Sequence, residues 1–88
     1  MTNSFDPEKD KLNRARHGLS LAFGHDVLEG RVTEFEDDRF DYGERRMVCF
    51  GDVDGRLYAC VYTVRADGPR IISVRKANDR EQKRFDPR

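Results

Sequence analysis

An α+β fold, with helices at both ends of the chain packed on an antiparallel sheet, follows from three features of these 88 residues. Helix-start signals stand at Asp6-Pro7 and at Asn78, which has Glu81 three positions on. Between them lie three segments rich in β-branched and aromatic residues: MVCF (47–50), LYACVYTV (57–64) and IISV (71–74). The junctions of those segments, DVDG (52–55) and ADGP (66–69), both contain Asp-Gly, a pair that suits short turns between antiparallel neighbours.

Each element has a local reason. Asp6 is the expected N-cap of a first helix, with Pro7 in the first helical position, where its missing N–H costs nothing. Leu12, Ala15 and Leu19 fall roughly on one side of it, and Gly18 can end it in a left-handed conformation. Ser20 can cap a second helix in which Phe23 and Val27 share a face, Leu28 lies beside them and Gly30 closes the element. Two helices this short cannot bury their apolar stripes against each other and require a sheet. VTEFED (32–37) reads as the first strand and DDRFDYGE (37–44) as a loop or turn. The three apolar segments then form a meander, and Asn78 with Glu81 opens a C-terminal helix.

At 10.3 kDa the chain is expected to be one domain, residues 1–88, with a thin core. Charged residues (39%) outnumber hydrophobic ones (36%), so apolar side chains must be concentrated on a few faces. Zero net charge excludes a molecule that holds polyanions by overall charge, but the distribution is uneven. Residues 65–88 carry 8 basic and 4 acidic side chains, whereas residues 1–64 carry 9 and 13. Such asymmetry fits a basic site beside an acidic surface, or a charge-rich surface with no site. No apolar run is long enough for a membrane span or a signal peptide. Cys49 and Cys60 form neither a metal spacing nor a disulfide framework, and the acidic stretch from Glu34 to Glu44 lacks a calcium-loop pattern. A cytoplasmic protein without metal or other cofactor, holding two free thiols, is the simplest expectation.

Turn positions predict a register. A two-residue Asp54-Gly55 turn pairs Cys49 with Cys60, Val48 with Val61 and Met47 with Tyr62. Closing the second hairpin at Arg65 and Arg70 pairs Val61 with Val74, Thr63 with Ile72 and Cys60 with Arg75. One face then collects Val48, Phe50, Ala59, Val61, Ile72 and Val74 and belongs under the helices. The other collects Arg45, Met47, Cys49, Tyr58, Cys60, Tyr62, Ser73 and Arg75 and is expected to be open.

On that open face Arg45, Arg65, Arg75, Lys76, Arg80, Lys83 and Arg84 could line a phosphate-binding groove, with Tyr58 or Tyr62 as a surface for a base. Such a groove could cleave RNA without metal, because the ribose 2′-hydroxyl is already adjacent to its phosphorus. Taken singly, each arginine more often just solvates the surface. His17 suits the C-terminal end of the first helix as a cap, and is also an acid–base candidate. His25 fits a surface or helix–sheet contact.

Three blocks, FDPEKDKLNRARHGLSL, GDVDGRLYACVYTVR and PRIISVRKANDREQKRF, together resemble BrnT, the ribonuclease toxin of BrnT–BrnA type II toxin–antitoxin pairs and a distant relative of RelE-like toxins. The resemblance covers nearly the whole chain. It implies a RelE-like fold with two N-terminal helices, an antiparallel sheet and a C-terminal helix. It further implies metal-independent RNA cleavage that blocks translation. A BrnA-like antitoxin would bind the toxin tightly and repress their promoter through its own DNA-binding domain, so that DNA is contacted only through the partner. The family's basic end-strand positions correspond to Arg75 and Lys76, and its helix charges to Arg80, Glu81 and Arg84. Two positions depart: Thr63-Val64-Arg65 stands where many relatives read Thr-Glu-Arg, and Phe85 where the last helix often carries tyrosine. The expected catalytic residues are Arg65, Arg75 and His17, and the expected RNA-binding residues are Arg45, Tyr62, Lys76, Arg80, Lys83 and Arg84. A non-catalytic module that binds antitoxin or RNA is the competing expectation.

Overall fold

The computed structural model describes residues 5–39 and 43–86. Helix α1 spans Pro7–His17, a single 3-10 turn spans Leu21–Phe23, and α2 spans Gly24–Glu29. Strands β1 (Arg31–Glu36), β2 (Arg46–Val53), β3 (Arg56–Arg65) and β4 (Gly68–Lys76) form one antiparallel sheet in sequence order. Helix α3 (Asp79–Phe85) ends the described chain.

The helix ends are those the capping residues dictate. Asp6 accepts from the Glu8 N–H at 2.9 Å, Pro7 occupies the first position, and Gly18 closes α1 at φ 69° with its N–H on the Arg14 carbonyl. Asn78 and Glu81 form a reciprocal capping box that opens α3. The body of α1 departs from expectation. Leu12 is 57% exposed, and the side chain that α1 buries is Asn13. Its amide donates to the carbonyls of Leu19 (2.9 Å) and Val74 (2.8 Å) and accepts from the Val74 N–H (3.1 Å). β4 is an edge strand, and Asn13 supplies the backbone partners that a neighbouring strand would have given. A parallel bridge from Phe5 to Ile71 covers the same edge nearby.

The first hairpin has the expected register, with Cys49 opposite Cys60, Val48 opposite Val61 and Met47 opposite Tyr62. Its two-residue turn places both Asp54 (φ 51°) and Gly55 (φ 82°) in the left-handed region, the geometry that matches strand twist. The second hairpin corrects the expectation. It closes at Arg65 and Gly68, and the register shifts between Val61 and Tyr62, so Tyr62 faces Ile71 whereas Val61 faces Ser73. Ile72 is the extra residue of this bulge. Cys60 therefore pairs with Val74 and Ala59 with Arg75, not Val61 with Val74 and Cys60 with Arg75.

The faces of β2 and β3 are also the reverse of those expected, whereas Val74 of β4 lies under the helices, and Ser73 and Arg75 on the other face, as expected. Met47, Cys49, Cys60, Tyr62, Ile71 and Val74 pack under the 3-10 turn and α2, against Leu21 and Val27. α2 lies directly on β2: a Cβ on Gly51 would sit 1.9 Å from the Val27 carbonyl oxygen. The opposite face buries Phe50, Leu57, Ala59 and Ala77 and receives α3 through Phe85, whose ring stacks on Phe50 at 4.5 Å. Cysteines and tyrosine rings read as polar in the sequence, but cysteine is a small, readily buried hydrophobe and tyrosine an apolar body with one polar tip. Both thiols are free and fully buried. Among the described residues no helix is long and apolar enough to cross a membrane.

Candidate nucleic-acid interface

Helix α3 covers only part of its face of the sheet. Beyond it the pairing places Val48, Val61 and Ser73 in one row and Arg46, Thr63 and Arg70 in the next. Arg75, opposite Ala59, lies on the same face beside the start of α3. The bulge makes this assembly possible. Arg70 and Arg75 are five residues apart and would point to opposite sides of a regular strand; the extra Ile72 restores them to one side. Thr63, only 1% exposed, has a hydroxyl with no hydrogen-bond partner among the described residues.

Arg75 is held in place. Its two terminal nitrogens reach the two Glu81 oxygens at 2.7 and 2.8 Å, a bidentate pair in a half-buried setting. Hydrogen bonding to the guanidinium, opposed by burial and helped by the Asn78 N–H, holds the Glu81 carboxyl below its ordinary range. The same bonds raise Arg75 further, so both groups stay charged at neutral pH. Arg56 fixes α3 from beneath, donating to the Ala77 carbonyl at 2.8 Å and to Gln82.

The other sequence-predicted residues are dispersed. Arg65 is exposed at the far end of β3, 3.4 Å from Glu44 and roughly 20 Å along the strand from the level of Arg75. Arg45 pairs with Glu36 at 2.7 Å beside the β1–β2 connection. Arg80, Lys83 and Arg84 are exposed on α3, with the Arg84 guanidinium 5.3 Å from the Phe85 ring centre. Lys76 is exposed opposite Tyr58, on the face away from Arg75. Tyr62 cannot serve as a base-stacking surface. It is 7% exposed under α2, where burial and the neighbouring Glu34 carboxylate push its hydroxyl up to about 12. Its expected place beside Arg75 rested on the unbulged register. His17 is exposed at the end of α1 and lines a cleft with Ser73, two residues from Arg75.

Arg46 and Arg70 were missed as members of this face, and Glu81 as the partner of Arg75. The IISVR spacing, with apolar residues in immediate succession between two arginines, is the only sequence signal for the bulge that groups them. The family model described as "Ribonuclease toxin, BrnT, of type II toxin-antitoxin system" matches residues 5–81. No curated protein matches the chain.

Proposed function

The chain belongs to the BrnT family of ribonuclease toxins of type II toxin–antitoxin systems, and we propose that it is a metal-independent endoribonuclease that blocks translation in the cytoplasm. The observation that carries this reading is the arginine-bearing face of the sheet, with Arg75 held by Glu81 at its border with α3. The arrangement of helices on the sheet is read as RelE-like.

In the proposed step the ribose 2′-oxygen bonds to the adjacent phosphorus while the bond to the 5′-oxygen breaks. The 2′-proton passes to a base and the leaving oxygen takes up a proton, giving a 2′,3′-cyclic phosphate and a 5′-hydroxyl. Charge accumulates on the non-bridging oxygens, and Arg75 is the guanidinium placed to receive it. Glu81 positions Arg75, and its ionised carboxylate becomes available as a proton acceptor when the guanidinium turns to phosphate. Arg65 contacts phosphate away from the reacting centre. Arg45, Arg80, Lys83 and Arg84 extend the electrostatic field around it, and the exposed Arg45–Glu36 pair exchanges readily for phosphate. The antitoxin, a BrnA-like chain on this reading, covers the arginine face and makes any DNA contact itself.

A second reading, a binding module that has lost catalysis, is favoured by one observation. Phe85, where a tyrosine is common in the resembled family, uses its ring to stack on Phe50 and has no hydroxyl to transfer a proton. Incubating the purified chain with end-labelled RNA in EDTA separates the two. Cleavage to 2′,3′-cyclic ends, lost in Arg75→Ala, supports the nuclease. Binding without cleavage, on naked RNA and on translating ribosomes alike, supports the module.

A further inference from the structure

The stripe of α1 that meets β4 has the wrong chemistry for a core. Lys9, Leu12, Asn13, Arg16 and His17 follow the spacing of one helix face, the row that an amphipathic helix normally fills with apolar residues. Here only Asn13 is buried, and it is spent on the β4 edge. The remaining four line an open cleft of about 250 Å³ whose other wall is Ile72 and Ser73. Among the described residues no carboxylate lines it, and none of the side chains of Lys9, Arg16 and His17 bonds to another of them. Of the two acidic residues of the helix, Asp10 is directed elsewhere, to Ser20, Leu21 and Arg14, and Glu8, in the first turn, is not part of the cleft lining.

Ser73 belongs to this cleft and also to the face that carries Arg75. The bulge at Ile72 is where the two surfaces join. We propose that the α1–β4 cleft is a phosphate subsite that carries an RNA strand from the Arg70–Arg75 face around the outer edge of β4. Lys9, Arg16 and His17 take the backbone of nucleotides flanking the cleaved bond, and Leu12 and Ile72 lie under a sugar or base. The cations supply the sequence-independent part of binding, and the apolar floor suits unstacked single-stranded nucleotides. This assignment rests on the ribonuclease reading. It adds that substrate grip is shared between two surfaces, so His17 serves binding in the cleft.

The test uses the full chain and a 2′-O-methyl RNA of about ten nucleotides, which binds without being cleaved. Lys9→Gln/Arg16→Gln changes two exposed side chains, and Arg75→Ala is measured beside it. The double variant is expected to bind about tenfold more weakly, with the slope of log affinity against log salt shallower by about 1.4, two single-strand phosphate contacts. Its affinity for the antitoxin stays unchanged. Unchanged RNA affinity and slope in the double variant, with Arg75→Ala weakened, overturn the subsite and leave the ribonuclease reading standing. Loss of antitoxin affinity with RNA affinity retained overturns it as well, and makes the cleft a protein-docking surface. If the unaltered chain neither binds nor cleaves RNA, with or without ribosomes, the ribonuclease reading falls and takes the subsite with it.

Discussion

Asn13 and Val74 are joined by two hydrogen bonds, 61 residues apart in sequence: the side-chain amide donates to the Val74 carbonyl at 2.8 Å, and the Val74 N–H donates back to the Asn13 oxygen at 3.1 Å. This is strand pairing carried out by a side chain. It fixes α1 against the one sheet edge that borders both the arginine face and the α1–β4 cleft. Asn13→Ala leaves the Val74 N–H and carbonyl and the Leu19 carbonyl without these partners. A loss of about 3 kcal/mol is expected, or about 15 °C in thermal midpoint for a domain of this size. Chemical denaturation of the variant checks it, and an unchanged midpoint would mean that water replaces the amide at no cost.

Gly51 and Gly43 should respond to alanine to very different degrees despite similar sequence settings. A Cβ on Gly51 meets the Val27 carbonyl oxygen at 1.9 Å, backbone that cannot yield without lifting α2 from β2. Gly51→Ala is expected to destabilise by about 3 kcal/mol or prevent folding. Gly43 has φ 74° and no described atom within 4 Å of a Cβ built on it, so Gly43→Ala costs only about 1 kcal/mol of backbone strain. Comparable losses at both positions would contradict direct packing of α2 on the strand.

The Arg75–Glu81 pair predicts a pH dependence. The folded Glu81 carboxyl, hydrogen-bonded by Arg75, binds its proton less tightly than the ordinary value of 4.5. The unfolded chain therefore takes up the proton first as acid is added. The stability the pair contributes is present above about 4.5 and is lost as pH falls through the lower folded value. Asp10, lowered chiefly by the Leu21 N–H, loses its contribution in the same direction. Glu81→Gln keeps an acceptor for the capping box but removes the ion pair. It should flatten part of the acid limb of a stability–pH profile and cost about 1 kcal/mol at neutral pH. A parallel profile with the same acid limb would assign that limb to Asp10 and other carboxyls.

Cys49 and Cys60 face each other across the first hairpin, yet both should be inert in the native state. Burial raises both thiols, Cys60 to about 12, and thiol reagents require the thiolate. Labelling by a thiol-reactive disulfide near pH 8 should proceed only through unfolding, with both cysteines reacting at one rate that denaturant accelerates. Fast labelling of one cysteine without denaturant would show that α2 opens locally.

The sequence made the ends of elements legible better than their sides. Asp6-Pro7, Gly18, Asn78 with Glu81, and Asp54-Gly55 each act through their own backbone, and all stand where they were read. The register of the first hairpin followed from its turn alone. What failed needed information from outside the segment. The bulge at Ile72 flips every residue after it, because the side-chain period of a strand is two. The helix-facing side of the sheet depended on where α2 lands, and Cys49, Cys60 and Tyr62 gave too weak an apolar signal to say so. The apolar spacing of α1 points to Leu12, Ala15 and Leu19, whereas the residue that docks the helix is Asn13. For the candidate site, Arg75 was legible as part of a basic end-strand block. Its grouping with Arg46 and Arg70 was not, since it exists only after the bulge.

That grouping yields the sharpest prediction about activity, because sequence and structure rank two arginines differently. Read along the chain, Arg65 is the stronger candidate, whereas Arg70 closes the hairpin and opens the resembled end-strand block without a site role. In the structure Arg70 shares a face with Arg75, one row beyond Ser73, whereas Arg65 stands a further row out on the same side, at the hairpin end beside Glu44. Neither side chain is buried, so truncation should leave the fold intact in both cases. With the free chain and a labelled RNA, Arg70→Ala should lower the cleavage rate by about tenfold or more, approaching the loss expected for removing one donor to developing phosphate charge. Arg65→Ala should lower it by about threefold or less, with the effect fading as salt rises, as for a peripheral contact. The reverse order would place the cleaved phosphate at the β3–β4 turn, and the bulge would then have no part in assembling the site.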